Sequence, residues 1–299
     1  MIGTARRVAV GTAREAAGTR LRAGVRQRTR QLLVDAAGLA VAAVMLFPIY
    51  WMVSTAFKPG QDILTLTPKW FPSPITLQNF QDAVSRAYFL DDVKNSLIIV
   101  GAMLVLALTV GFLAAVGAAR FGFKGRTVFL VLIIAVQMVP LNSLIIPLYL
   151  QLDQIGQVDA LPGVIAIYLA AVLPFMIWTL RGFVSNVPVE LEEAAMIDGA
   201  TRFGAFYRVV LPLSAPGVLA AGLYAFTQAW NEFLYALVFI TDGRLRTLPV
   251  GLASFITGDV YGWGYLMAGA VLTTLPVIAA YIYLQKYMVE GLTAGSVKG

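Results

Sequence analysis

Six long runs of uncharged, mainly apolar residues constrain this chain more than any other feature of its sequence. Each run meets or exceeds the roughly 20 residues that an α-helix needs to cross the hydrocarbon core of a bilayer. The runs cover residues 36–57, 95–119, 127–152, 160–180, 209–231 with an extension beyond Glu232, and 260–285. Because they are too long for membrane strands and do not alternate, we predict an all-α, polytopic membrane protein built as a six-helix transmembrane bundle.

The composition agrees with a membrane protein and excludes several kinds of chemistry. Charged residues make up 13% of the 299 residues, whereas a soluble domain carries about 25%. The chain has no cysteine and no histidine, which removes disulfides, thiolate nucleophiles, histidine bases and the usual zinc and haem ligands. It also lacks the Gly-x-x-x-x-Gly-Lys-Ser/Thr loop that binds ATP phosphates. We therefore predict no metal site, no cofactor and no enzyme activity.

Arginine and lysine are distributed unevenly between the segments that join the spans. Residues 1–31 carry eight arginines against one acid, Glu15, and we predict a basic cytoplasmic tail followed by a six-span domain over 32–299. A transit peptide or a nucleic-acid-binding arm is a weaker interpretation of this tail, and we predict no nucleic-acid partner. With the N-terminus inside, sixteen of the 22 basic residues lie on the cytoplasmic side. This asymmetry predicts that both termini lie in the cytoplasm.

A polar stretch over about residues 182–210 has the features of a helix-turn-helix outside the bilayer. Pro188 fits the first position of a helix, and Glu190 and Glu192 then lie near the positive end of its dipole. Gly199 can adopt a positive φ and end that helix, and Thr201 can cap a second one. We predict two short helices joined by a turn at Gly199.

The same stretch contains a longer motif: Glu-Ala-Ala, three residues, Gly, nine residues, an aliphatic residue, any residue, and Leu-Pro. This spacing resembles the coupling motif of binding-protein-dependent ABC importer permeases. The alternative is a solvated amphipathic linker, which seven matched positions make the weaker interpretation. The resemblance implies that the following residues contact an ATPase subunit: Glu193, Ala194, Ala195, Asp198, Gly199, Leu211 and Pro212.

Five further stretches resemble the branch of carbohydrate ABC importers that contains the smaller maltose permease subunit. They are Phe57-Lys58-Pro59, Asn95-Ser96-Leu97, Trp230-Asn231-Glu232-Phe233, Thr247-Leu248-Pro249-Val250-Gly251-Leu252 and Gly291-Leu292-Thr293-Ala294-Gly295. The resemblance covers about residues 33–299. It implies the type I importer permease fold with cytoplasmic coupling helices. It also implies a complex with a second permease subunit, two ATP-binding cassette subunits and an extracellular solute-binding protein that delivers a sugar, expected to be a di- or oligosaccharide.

Polar and aromatic side chains late in the fifth run are the candidates for a substrate pathway. These residues are Tyr224, Gln228, Trp230, Asn231 and Glu232. They offer stacking faces and neutral hydrogen bonds that suit a polyol, and they equally suit helix packing. Glycerol phosphate or another polar solute stays open as the substrate.

Two other classes of membrane protein remain as alternatives. An ion-coupled secondary carrier is less favoured, because Glu232 is the one strong candidate for a deep ionisable group and a single acid makes a poor proton relay. An intramembrane enzyme is weaker still, because no pair of buried catalytic groups accompanies a nucleophile.

Two segments near the end of the chain carry further expectations from the resemblance. The C-terminal tail, 287–299, is too polar to continue the sixth span and is expected to touch the ATPase dimer. The last outer loop, 242–262, resembles the loop that enters the cleft of the binding protein in this branch. Leu252, Phe255 and Ile256 are expected to form its apolar tip.

Overall fold

The computed structural model describes residues 30–256 and 262–294, and all regular secondary structure in these two ranges is helical. The helices are α1 Arg30–Ala56, α2 Gln78–Val84, α3 Phe89–Arg120, α4 Arg126–Gln137, α5 Ile145–Gln154, α6 Leu161–Asn186, α7 Val189–Ile197, α8 Arg202–Ala205, α9 Leu211–Leu213, α10 Ala215–Trp230, α11 Leu234–Phe239, α12 Leu248–Ala253 and α13 Trp263–Ala294. The all-α prediction is confirmed. Most of the basic tail and the last five residues lie outside the described ranges.

Four helices are long and apolar enough to cross a membrane: α1, α3, α6 and the part of α13 over Trp263–Gln285. Two bent helix pairs lie at the third and fifth predicted spans, and the described residues hold up to six spans if each pair is one span. The chain is therefore a multi-pass membrane protein. The sixth run was predicted to end at Gln285, but the helix continues beyond it to Ala294.

The third predicted span, 127–152, is not one helix. Arg126–Gln137 and Asn142–Gln154 meet at a bend of 86°. Pro140 lies between the two helices with an extended backbone. A proline has no N–H to donate and disfavours the α conformation of the residue before it, so it interrupts a helix. Proline inside an apolar run is expected to kink a helix, and here the 127–152 run forms a bent pair and not one straight helix.

The fifth predicted span is also interrupted. The bent helix pair at this position begins in α8, before the predicted start at Val209, passes through a π-helical turn at Phe206–Val210, and bends by 68° between α9 and α10. Pro212 and Pro216 flank the bend, and each removes a backbone donor. The chain leaves helical geometry again at 231–233 before α11 begins. Glu232 therefore lies at a break and not inside a continuous helix.

Helices α3 and α6 form the most extensive helix–helix contact among the described residues. Gly111 of α3 lies so close to α6 that a Cβ at this position would stand 3.4 Å from the Met176 Cβ. Small residues permit such an approach in membrane helices. We name the end of this pair at Arg120 the α7 end and the end at Asp92 the α12 end, after the helices that lie there.

Candidate functional site

Helix α7 starts one residue later than the sequence predicted. Pro188 is the residue before the helix, with an extended ψ of 132°, and Val189 is the first helical residue. Glu190 and Glu192 lie in the first turn, where the helix dipole favours negative charge. The predicted helix is present, with its start shifted by one position.

The predicted turn at Gly199 is present. Gly199 has a φ of +90°, a conformation that is strained for residues with a Cβ. The Gly199 N–H donates to the Met196 carbonyl at 3.1 Å, and the Ala200 N–H donates to the Ala195 carbonyl at 3.0 Å. Thr201 then caps α8, as predicted, because its hydroxyl accepts from the Gly204 N–H at 3.0 Å.

The helix-turn-helix presents an exposed surface that includes large apolar side chains. No residue of α7 is buried. Ile197 is 86% exposed and Phe203 is 73% exposed. The structure brings Glu193, Ala194, Ala195, Asp198 and Gly199 together on this helix and its end, whereas Leu211 and Pro212 lie at the bend below it. An exposed apolar patch with polar neighbours is typical of a protein–protein contact.

An ion pair that no sequence pattern predicted joins α7 to α3. Arg120, the last residue of α3, has its Nε 2.6 Å from Glu192 Oε1, and the two side chains are only 12% and 17% exposed. The Arg120 Nη2 also donates to the Val187 carbonyl at 2.8 Å. In the prediction from sequence, Arg120 counted only as one of the cytoplasmic charges that set the orientation of the spans. The signal available was an acid immediately before the Glu-Ala-Ala motif.

A cavity of about 370 Å³ lies where α6 and α10 face the break between α4 and α5. Three of the predicted pathway residues, Tyr224, Gln228 and Glu232, line it. Tyr224 and Gln228 are four residues apart on α10 and share one face of it, whereas Glu232 reaches the cavity from the break after α10. Further polar side chains that line it are Gln137, Asn142, Tyr168 and Tyr235. The Tyr235 hydroxyl is buried and has no hydrogen-bond partner among the described residues.

Glu232 uses its carboxylate to cap α11. Its Oε1 accepts from the Tyr235 N–H at 2.8 Å, and its Oε2 accepts from the Ala236 N–H at 3.1 Å and from the Tyr168 hydroxyl at 2.6 Å. A carboxylate at this position satisfies amide groups that the first turn of a helix leaves free. Both oxygens of this acid therefore already have protein partners.

Trp230 and Asn231 do not line the cavity. Trp230 is only 2% exposed, stacks on Phe226 and donates its indole N–H to the Thr273 carbonyl of α13 at 3.1 Å. Asn231 donates to the Thr227 carbonyl at 2.8 Å and borders a separate surface depression. In the structure both residues contribute to helix packing and local hydrogen bonding.

At the α12 end, α3 holds the described part of the 242–262 loop. Asn95 donates its side-chain N–H groups to the carbonyls of Arg244 at 2.8 Å and Arg246 at 3.1 Å. The hydroxyl of Ser96 accepts from the Leu248 N–H at 2.7 Å. These contacts join the start of the second span to the Leu248 stretch.

The expectation of an apolar loop tip was wrong for Phe255. This side chain is 4% exposed and packs against the rings of Phe89 and Tyr265. Packing against two aromatic rings removes the apolar surface of Phe255 from water, whereas a side chain at a protruding tip stays exposed. Ile256 is 47% exposed, and residues 257–261 lie outside the described ranges.

Residues 107–293 match the family described as "Binding-protein-dependent transport system inner membrane component". The chain belongs to this family. The match covers the distal part of α3, the cavity, the helix-turn-helix and the loop held by α3, and it confirms the family that the coupling motif predicted.

Relatives that align over most of their length support the membership of this permease in the family. It is 42% identical to the diacetylchitobiose uptake system permease protein DasC of Streptomyces coelicolor over 85% of its length and 92% of the relative's. It is 36% identical to the trehalose/maltose transport system permease protein MalG of Thermococcus litoralis over 90% of its length and 98% of the relative's.

A solved structure supports the fold of the permease. A crystal structure of a bacterial ABC transporter involved in the import of the acidic polysaccharide alginate superposes with a TM-score of 0.74 at 22% identity. The match covers 85% of the permease and 95% of the solved chain. The predicted ABC importer permease fold is confirmed.

Proposed function

We propose that the chain is one membrane-spanning subunit of an ATP-driven importer for a neutral di- or oligosaccharide. The relatives named for diacetylchitobiose and for trehalose/maltose support a saccharide as the substrate. The proposed assembly contains a second permease subunit, two ATPase subunits and an extracellular solute-binding protein. The basic residues at the α7 end support placing this end, and both termini, in the cytoplasm of the bacterial cell.

The observation that carries the ATP-driven assignment is the exposed surface of α7. The chain lacks a phosphate-binding loop of its own, so ATP must act through a partner. A short helix without buried residues, ended by a glycine at φ +90°, fits insertion into a groove of another protein. In this proposal Glu193, Ala194, Ala195, Asp198 and Gly199 contact the ATPase subunit, and the chain itself has no enzyme activity.

The cavity supports a neutral substrate over glycerol phosphate. None of the described residues that line it is lysine or arginine. Its one acid, Glu232, already accepts three hydrogen bonds. What remains for a ligand includes the amides of Gln137, Asn142 and Gln228 and the ring of Tyr224. Neutral hydrogen-bonding groups and an aromatic ring suit sugar hydroxyls and sugar faces, whereas phosphate binding generally uses cations or clustered amides.

Stimulation of ATP hydrolysis tests this function. The complete complex in lipid nanodiscs, with its solute-binding protein, is assayed with diacetylchitobiose, trehalose, maltose, glycerol phosphate and an alginate oligomer. At least one neutral saccharide is expected to raise the ATPase rate several-fold, and the two anions are expected to leave it unchanged. Stimulation by an anion alone, or failure of any ATPase subunit to copurify with the chain, contradicts the proposal.

A further inference from the structure

We propose that Arg120 and Glu192 transmit the movement of α7 to α3, and that α3 carries this movement to the loop at the α12 end. The proposal rests on the proposed function, because it assumes that an ATPase subunit moves α7. Arg120 and Glu192 are positioning residues in this account and contact neither sugar nor nucleotide.

The contact between α3 and α7 combines an ion pair with a hydrogen bond. The Arg120 Nε lies 2.6 Å from Glu192 Oε1 without hydrogen-bond geometry, whereas the Arg120 Nη2 donates to the Val187 carbonyl, so the guanidinium contacts both the helix and the segment that leads into it. Both side chains are mostly shielded from water, where a pair is weakly screened and where loss of one partner leaves an uncompensated charge. A displacement of α7 therefore displaces the end of α3 as well.

Helix α3 is continuous, so we expect it to move as a rigid body. It is a single helix of 32 residues, and its buried face packs along α6. The fifth span, which also starts beside α7, contains a π-helical turn and a bend of 68°. Displacement of a bent element can be absorbed by a change of the bend, whereas a packed continuous helix shifts along its whole length. The contacts therefore favour α3, together with α6, as the route across the membrane.

The other end of α3 is attached to the 242–262 loop. Asn95 holds the carbonyls of Arg244 and Arg246, and Ser96 holds the Leu248 N–H. Gly251 of α12 lies directly against the buried carboxylate of Asp92, where any added Cβ would overlap it. Coupling between two sites is reciprocal. Hence the binding of a solute-binding protein at this loop also biases the position of α7, which accounts for stimulation of the ATPase from the opposite side.

A charge exchange tests the pair in the complete complex. Arg120→Glu and Glu192→Arg are each expected to lower the ratio of stimulated to unstimulated ATPase rate at least about fivefold, an effect within the usual range of allosteric coupling. The double exchange, Arg120→Glu with Glu192→Arg, is expected to restore at least half of the wild-type ratio. Lys124→Glu, an exposed charge reversal just beyond α3, is the matched control and is expected to keep the ratio.

The outcomes separate this inference from the proposed function. If the wild-type complex shows no stimulation, the proposed function fails. If the wild-type complex is stimulated and both single variants assemble with an unchanged ratio, or the double exchange recovers nothing, the inference is overturned. Should the charge reversals prevent assembly, Glu192→Gln removes the charge with little change of shape. An unchanged ratio in that variant overturns the inference, and a reduced ratio at full assembly supports it.

Discussion

Helix α3 and the fifth span cross the same bundle and are both rich in apolar residues, yet they differ in structure. Phe89–Arg120 is one uninterrupted helix with a buried face and polar attachments at its two ends. The fifth span is divided into α8, α9, α10 and α11, with a polar break at Glu232. The cavity lies beside the divided span. The interruption brings polar groups of the divided span to the cavity, whereas the uninterrupted helix suits the transmission of movement that we propose for α3.

Gly199→Val, compared with a matched change at Gly101 of α3, is expected to have the largest effect on stimulated ATP hydrolysis. Nothing lies within 4 Å of a Cβ built on Gly199 or on Gly101 of α3, so the two sites differ in backbone conformation and not in space. Only Gly199 has a positive φ, which strains a residue with a Cβ by about 1–2 kcal/mol. Gly199→Val is expected to abolish sugar-stimulated ATP hydrolysis while membrane insertion continues. Gly101→Val is expected to keep at least half of the stimulation, and equal activity of the two variants contradicts the role of the turn.

Gly251→Ala tests the attachment of α3 at its α12 end. The new methyl group overlaps the Asp92 carboxylate, so the loop must move away from α3. We expect stimulation of the ATPase by the solute-binding protein to fall several-fold. Asp92→Ala added to Gly251→Ala removes the overlapping oxygens and is expected to recover much of the loss. If Gly251→Ala alone retains full stimulation, close contact between α12 and α3 is not needed.

Glu232 tests whether the break in the fifth span depends on charge or on hydrogen bonding. Glu232→Leu leaves the Tyr168 hydroxyl and two amides of α11 without their acceptor, at about 1–3 kcal/mol for each buried unsatisfied group. We expect it to lose most sugar uptake. Glu232→Gln keeps one acceptor oxygen and is expected to retain substantial uptake with an unchanged pH dependence. Complete loss of uptake in Glu232→Gln, with ATP hydrolysis intact, shows that the charge itself is required.

Asp159 carries the smallest expected effect, because it lies in the loop that joins α5 to α6. Its carboxylate accepts from the Thr241 hydroxyl and from the N–H groups of Thr241 and Asp242. These hydrogen bonds, that of the Thr241 hydroxyl first, hold the pKa of Asp159 below its usual value.

The sign of the pH effect follows from this lowered pKa. A lowered folded-state pKa adds stability that is present above the unfolded pKa of about 3.9 and is lost as the pH falls through the folded value. Asp159→Asn is therefore expected to lower the melting temperature slightly and by an equal amount from pH 5.5 to 8, measured by thermal unfolding in detergent. If the difference in melting temperature between the wild type and Asp159→Asn changes from pH 5.5 to 8, the lowered pKa of Asp159 is contradicted.

The predictable parts of the fold were those set by local rules. The runs of apolar residues located the four long helices and the two bent pairs, and Gly199 and Thr201 fixed the turn and the cap of the helix-turn-helix. Of the five pathway candidates, Tyr224, Gln228 and Glu232 line the cavity, whereas Trp230 packs against α13. Hydropathy does not distinguish the faces of a buried helix. The Arg120–Glu192 pair and the contacts of Asn95 join residues far apart in the chain, which no local pattern contains.

Uptake into proteoliposomes tests the central claim most directly, namely that ATP acting at the α7 end drives import of a neutral sugar. The complete complex is reconstituted with ATP inside, and the solute-binding protein and a radiolabelled neutral saccharide that stimulates the ATPase are added outside. The account predicts accumulation that requires internal ATP, persists with a protonophore and is lost in Gly199→Val. Accumulation that proceeds without ATP and collapses with the protonophore contradicts the account and identifies a secondary carrier.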